Sequence, residues 1–314
     1  MSINFIRDYE SQETIDLFSS IMMKDEPLFF GRIGGQEYDT ASRHYAYNGH
    51  FDNEEIYDFT ISLLRKYAGY FDLSNSKDVF YQYANALASC YKKMEYVFYA
   101  NPSLITPIQS GTIPYDPLLL DILEGKTAFC YGFMEGVTPF MDSFKTWGEG
   151  KKILVVSPFE ESLKYQYARR YKIMNNYTYP NFELVTYKTK ILYNDGTETK
   201  EQLGTTTNNW EEEWMRMAEE ISKLDFDIAW LSCAAYSPFL GDYIVHTMGK
   251  KAIYVGGILN MFFNIYGERF KAYTSYCNID YMIDPFENKE IENMTAGRGQ
   301  AYEGIHAYFG YKNK

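Results

Sequence analysis

From Thr127 onward the chain alternates short apolar runs with amphipathic stretches, and this alternation constrains the fold more than any other feature. Short buried strands separated by helices are the signature of βα units and a parallel sheet. The strands expected are Thr127 to Tyr131, Ile153 to Ser157, Phe182 to Tyr187, Ile228 to Leu231 and Ala252 to Val255. An earlier run, Leu28-Phe29-Phe30, continues into Gly31-Arg32-Ile33-Gly34-Gly35-Gln36-Glu37, which reads as a buried strand, a glycine turn and a helix start. The expected class is α/β, with a Rossmann-like, mostly parallel sheet and flanking helices.

Ser11 is placed to cap a helix carrying Ile15, Leu17, Phe18, Ile21 and Met22, which Pro27 ends. Asp52 with Glu55 forms a capping-box pattern before Ile56 and Phe59, and a second long helix is expected over about 77 to 96. Asp116-Pro117 opens a short helix that Gly125 ends. Residues from about 50 to 125 therefore read as a helical insert or subdomain. The polar stretch from Tyr187 to Asn209, with Asn194-Asp195-Gly196, reads as a hairpin or mobile loop. Trp210, Trp214, Met217 and Ile221 share the face of the helix after it. No repeat and no clean linker divides the chain, so residues 1 to 314 are read as one domain.

The chain has 30 basic and 42 acidic side chains and a net charge of -12. That balance opposes general attraction to nucleic acid or anionic lipid, while leaving room for a local cationic cleft. No run approaches the ~20 apolar residues of a membrane span, and the start lacks a secretory pattern, so a cytoplasmic location is expected. Cys90, Cys130, Cys233 and Cys277 lie far apart and read as reduced, mostly buried thiols. His44, His50, His246 and His306 show no metal-binding spacing. The 31 tyrosines are read as compositional bias, and a homo-oligomer is allowed by the sequence.

In an open α/β sheet ligands bind beyond the carboxyl ends of strands, where loops enter helices. Three such ends carry candidate chemistry. In the first, Gly34 and Gly35 let backbone N–H groups approach an anion, Arg32 supplies charge, Gln36 lies beside them, and Glu37 is able to hold a metal or accept a proton. In the second, Ser157 caps the following helix and Pro158 takes its first position, a dipole-assisted anion site whose alternative is simple capping. In the third, Gly256-Gly257 leads into a helix bearing Asn260 and ending near Gly267, with Glu268 and Arg269 beyond. The preceding unit ends at small residues around Cys233, with Tyr236 as a stacking platform. Asp227, at the opposite end of its strand, is structural.

Taken in order, FFGRIGGQE, ILVVSPFEESLKYQYARR and the stretch from Phe226 to Phe270 resemble the GT-D-type glycosyltransferases of bacterial surface-polysaccharide and glycoprotein loci. The resemblance implies a GT-D-like fold that transfers a hexose from a UDP-type donor, with a divalent cation, Mn²⁺ or Mg²⁺, at an Asp-x-Glu pair. Arg32, Gly34 and Glu37 match the family's turn, but Gly35 occupies the aspartate position. With one carboxylate gone, a cation either binds chiefly through donor phosphates or is not used.

The expected function is glycosyl transfer from a nucleotide diphosphate sugar to an acceptor hydroxyl of a glycan or glycoprotein. Glu37 would be the base or residual metal ligand, and Arg32, Arg269 and the glycine turns would hold the diphosphate. The alternative is a non-catalytic nucleotide-sugar-binding or scaffolding protein of a polysaccharide-assembly complex.

Overall fold

The computed structural model describes residues 4–47, 51, 53–99, 117–268, 276–295 and 310–311. Its eight strands are β1 (Asn4–Ile6), β2 (Leu28–Ile33), β3 (Tyr96–Tyr99), β4 (Thr127–Cys130), β5 (Lys152–Ser157), β6 (Glu183–Lys188), β7 (Ile228–Leu231) and β8 (Lys251–Tyr254). They form a single parallel sheet in the order β1-β4-β3-β2-β8-β7-β5-β6. The fold is α/β, with helices on both faces.

Alternate residues of each central strand enter two separate apolar clusters. Phe29 and Ile33 of β2 and Tyr254 of β8 join one, with Ala41, Leu64, Leu87, Leu119, Met217 and Leu240 from the helices covering that face. Phe30 and Ile253 join the other, with Phe18, Phe140, Phe144 and Leu163. The second face is an aromatic stack in which Trp230, fully buried, is met by Phe140, Phe144, Trp147 and Phe262. Much of the chain's aromatic content thus serves both cores.

The structure corrects the expected organisation in four places. The helix Lys77–Lys93 stops three residues short of Tyr96, and Tyr96–Tyr99 becomes β3, paired with both β2 and β4. The described part of 50–125 is therefore not helical throughout, since it supplies one of the inner strands of the sheet. Strand β1 was not expected either, because three residues carry no readable periodicity. The helix Glu54–Ala68 is capped by Asn53, whose side chain accepts the Ile56 N–H at 2.8 Å, while Asp52 and Asp116 lie outside the described residues. Beyond β6 there is no hairpin. Asn194 donates to the Tyr70 and Leu192 carbonyls, Thr199 and Gln202 form a capping box, and the Thr205 and Thr207 hydroxyls donate to the buried Glu213 carboxylate. This polar segment is tied to its neighbours by paired side chains and, at Asn209, by an isolated antiparallel bridge to Asp72.

Helix Ser237–His246 crosses β2 closely enough that a Cβ on Gly241 would lie 2.1 Å from the Phe29 ring, which is fully buried. We predict that Gly241→Ala lowers unfolding stability by about 1–3 kcal/mol through overpacking, against a helix-propensity gain of about 1 kcal/mol. Urea unfolding that shows no loss would place Phe29 in a looser environment than the structure gives it.

Candidate functional site

Strands β2 and β8 are neighbours, yet the chain leaves them toward opposite faces. Tyr38 and Ala41, after β2, enter the cluster on one face, whereas Ile258, Leu259 and Met261, after β8, enter the other. Diverging connections mark a topological switch point at the carboxyl end of the sheet, and α/β folds bind ligands in the crevice outside such a point. The two glycine turns read from the sequence stand on its two sides.

On the β2 side the chain turns through Gly34 (φ 146°) and Gly35 (φ 80°) into the helix Gly35–Ala46. No side chain caps this helix at Gly34, so its first N–H groups look outward from the turn. Gly35 is exposed, and a Cβ there would lie 3.0 Å from Glu37 Oε2. Positive φ and that contact together explain glycine at the position where the resemblance leads one to expect aspartate.

Glu37 occupies the third position of the helix and is buried. Burial raises its pKa above the ordinary carboxyl value, opposed by a hydrogen bond from its own backbone N–H, the positive charge of Arg32 and the Tyr254 hydroxyl. That hydroxyl donates to Glu37 Oε1 at 3.1 Å. Tyr83, Tyr91 and Cys233 lie near enough for the Glu37 charge to raise their own pKa values, after burial itself. The carboxyl therefore sits beneath the crevice among phenols, with Oε2 toward the open glycine.

Arg32 lies on the other side of β2. Its guanidinium stacks 4.6 Å above the Tyr131 ring and lies 6.0 Å from the Tyr254 ring. A Cβ on Gly256 would stand 2.7 Å from Arg32 Nη1, so the second turn, with Gly256 at φ 68°, is shaped around this arginine. Arg32, Glu37 and Gly256 are brought together from segments more than 200 residues apart in the chain. Gln36 and Gly257, both half-buried, complete the two turns.

Other expected residues stand elsewhere. Ser157 does not cap a helix. The following helix begins at Glu160 behind Phe159, Ser157 Oγ accepts the Phe159 N–H at 3.3 Å, and Pro158 precedes the helix. Its anion position is already filled from within, for Glu287 Oε1 takes the N–H groups of Glu161 and Ser162 at 2.9 and 3.2 Å, and Oε2 takes the Ser162 hydroxyl. Tyr236 is no stacking platform, because it is buried and its hydroxyl donates to the Gly69 carbonyl at 3.1 Å. Asn260 is buried below the second turn, its carbonyl accepting from Ile265 and Phe263, and its helix ends at Phe262 rather than near Gly267. Cys233 is buried, with its thiol pushed up to about 12, which leaves it unreactive. Asp227 accepts the Lys152 N–H at 2.8 Å, a structural role. Arg269 lies outside the described residues.

The donors present do not fit a divalent cation held by the protein. Gly35 offers no side-chain oxygen, burial disfavours the charged form of Glu37 and its Oε1 engages Tyr254, and Asp39 is exposed two residues along the same helix. Among the described residues no three His, Cys, Asp or Glu side chains gather as such a site needs. Tyr131 and Tyr254, which frame Arg32 and Glu37, were not singled out in the sequence; a tyrosine ending an apolar strand run was the available signal. Comparison with family models, curated proteins and solved structures finds no match to the chain.

The raised pKa of Glu37 has a consequence for stability. Between the ordinary carboxyl value and the folded value the native state holds more protons than the unfolded chain, so this group's contribution is complete in acid and is lost as pH rises through the folded pKa. We predict that Glu37→Gln, which removes the buried charge, melts higher than wild type at pH 8 and converges with it near pH 4. Parallel melting curves at every pH would contradict the burial of an ionisable group here.

Proposed function

We propose that the protein transfers a sugar, in particular a hexose, from a nucleotide diphosphate donor of the UDP type to an acceptor hydroxyl, in assembly of a surface polysaccharide or glycoprotein. The observation that carries this reading is the switch-point crevice itself, where a guanidinium and an uncapped glycine-rich helix start flank a buried carboxyl. Transfer of this kind needs positive potential at a departing diphosphate and a base for the acceptor proton.

In the reaction the acceptor oxygen forms a bond to the anomeric carbon as the bond from that carbon to the diphosphate oxygen breaks. The electron pair leaves with the nucleoside diphosphate, and the acceptor proton passes to Glu37. Arg32 and the N–H groups at Gly35 and Gln36 face the charge that develops on the leaving group. A raised pKa makes Glu37 a stronger base than an exposed glutamate, and Tyr254 holds its Oε1 so that Oε2 is turned toward the opening at Gly35. A second reading, a nucleotide-sugar-binding or scaffolding protein without turnover, draws on Gly35 in the aspartate position.

Two measurements test this. UDP or a UDP-sugar is expected to raise the melting temperature, with a stabilisation of about 2.7 kcal/mol at one hundred times Kd; no shift with any nucleotide at millimolar concentration sinks the donor site. With the best donor, Glu37→Gln is expected to slow turnover by roughly 10²- to 10⁴-fold, while Glu135→Gln, on the half-buried turn after β4, retains activity. Wild-type turnover in Glu37→Gln removes the base from Glu37, and donor binding without turnover in the wild-type chain favours the scaffolding reading.

A further inference from the structure

The nine residues Lys164-Tyr165-Gln166-Tyr167-Ala168-Arg169-Arg170-Tyr171-Lys172 contain four cations and no acid, in a chain of net charge -12. They form the end of the helix Glu160–Tyr167 and the turn after it. Lys164 is engaged by Glu160 and Glu161. The two arginines are not engaged by carboxylates among the described residues. Arg169 stacks 3.9 Å above the Tyr165 ring and donates from Nε to Gln166 at 3.0 Å. Arg170 lies 4.4 Å from each of the Tyr167 and Tyr171 rings, and its donors reach the Tyr167 carbonyl at 3.2 Å and the Tyr171 hydroxyl at 2.8 Å.

Exposed rings and alkyl groups border these cations. Tyr165, Tyr171, Phe286 and Ile279 are 44%, 54%, 52% and 52% exposed. The Tyr165 and Phe286 rings are 5.0 Å apart, and Asn278 donates to the Lys172 carbonyl at 3.0 Å, which brings Ile279 to the same turn. Acids at the margin of the strip include Glu160 and Glu161, which engage Lys164, and Asp280 and Asp284, which neighbour Ile279 and Phe286 in the chain. Tyr167 donates its hydroxyl to the Phe182 carbonyl, just before β6 begins. The arginine turn therefore lies at the end of the sheet where strands start, opposite Arg32 and Glu37.

We propose that this strip docks the protein on a bilayer surface bearing anionic headgroups. Stacked on a ring, Arg169 keeps its charge with only Nε engaged, while Arg170, whose two terminal nitrogens already donate to Tyr167 and Tyr171, adds charge, and both are more weakly hydrated than a lysine. Phe286 and Ile279 form no side-chain hydrogen bonds and gain from contact with the acyl boundary, where tyrosines also partition favourably. The overall negative charge does not prevent docking, because at physiological salt charges farther than about 8 Å from the surface are screened. A soluble polyanion would engage the cations alone, whereas a bilayer engages cations and apolar groups together. The proposal stands independently of the reaction assigned to Arg32 and Glu37.

The test is co-sedimentation of the full chain with phosphatidylcholine vesicles, with and without phosphatidylglycerol, at low and high salt. The wild-type chain is expected to pellet with the phosphatidylglycerol vesicles, less so in high salt, and not with phosphatidylcholine alone. At about fivefold per cation, Arg169→Gln with Arg170→Gln weakens vesicle binding roughly 30-fold, whereas Lys223→Gln, in the turn after the helix Trp210–Ile221, leaves it unchanged. Tyr171→Ser with Phe286→Ser weakens vesicle binding but not binding to soluble dextran sulfate. Melting curves confirm folding, and Lys172→Gln, at an exposed position, replaces the arginine pair should that variant not fold. The proposal is overturned if the wild-type chain does not pellet, if it pellets equally with neutral vesicles, or if the cation variants bind as wild type. Retention of full vesicle binding by Tyr171→Ser with Phe286→Ser also overturns it and assigns the strip to a soluble polyanion.

Discussion

The pairing of β2 with β8 is the constraint on which the rest of the site depends. These strands come from opposite ends of the chain, and their register sets Phe30 against Ile253. Because the segments that follow them depart to opposite faces, the backbone cannot close over the end of the sheet between them. The crevice is a consequence of topology, and the side chains that line it are those that end the two strands.

Two helix starts in the molecule show how differently the same physics is used. The helix Glu160–Tyr167 has two of its first-turn N–H groups, those of Glu161 and Ser162, taken by Glu287, a buried carboxylate from the C-terminal segment. That contact anchors the segment across the second face and leaves no room for an outside anion. The helix Gly35–Ala46 has no such partner at Gly34, and its own acid, Glu37, folds back onto its backbone N–H. The first start is an internal fastening, whereas the second keeps its outer N–H groups toward the crevice.

Burial of Glu37 has an unfavourable component that the surroundings reduce without removing. Arg32 lies on the opposite face of β2 and acts on the carboxylate through charge, while Tyr254 acts through a direct hydrogen bond. Neither fully offsets desolvation, so the carboxyl keeps a raised pKa. An acid held this way changes protonation readily, and perturbed groups of this kind gather where proton transfer is needed.

The parallel sheet was legible in the sequence because buried strands such as Ile228–Leu231 form short apolar runs between amphipathic helices, and the glycine turns were legible because glycine adopts positive φ at the least steric cost. Local signals misled where partners are remote. Tyr96 read as the end of a helix and no strand was expected at Tyr96–Tyr99, because a short apolar run has no period of its own and only pairing with β2 and β4 made it a strand. Ser157 carries the residue type of a helix cap, but the start nearby was taken by Glu287, 126 residues beyond Glu161. Tyr236 has the chemistry of a platform, yet packing turned it inward to Gly69. Sequence alone determined that long apolar runs such as Lys152–Ser157 become strands and where the glycine turns fall, since propensity and backbone sterics act over a few residues. Tertiary structure decided that Arg32, Glu37, Tyr254 and Gly256 meet, because that depends on strand order, and strand order is set by long-range burial rather than by any local pattern.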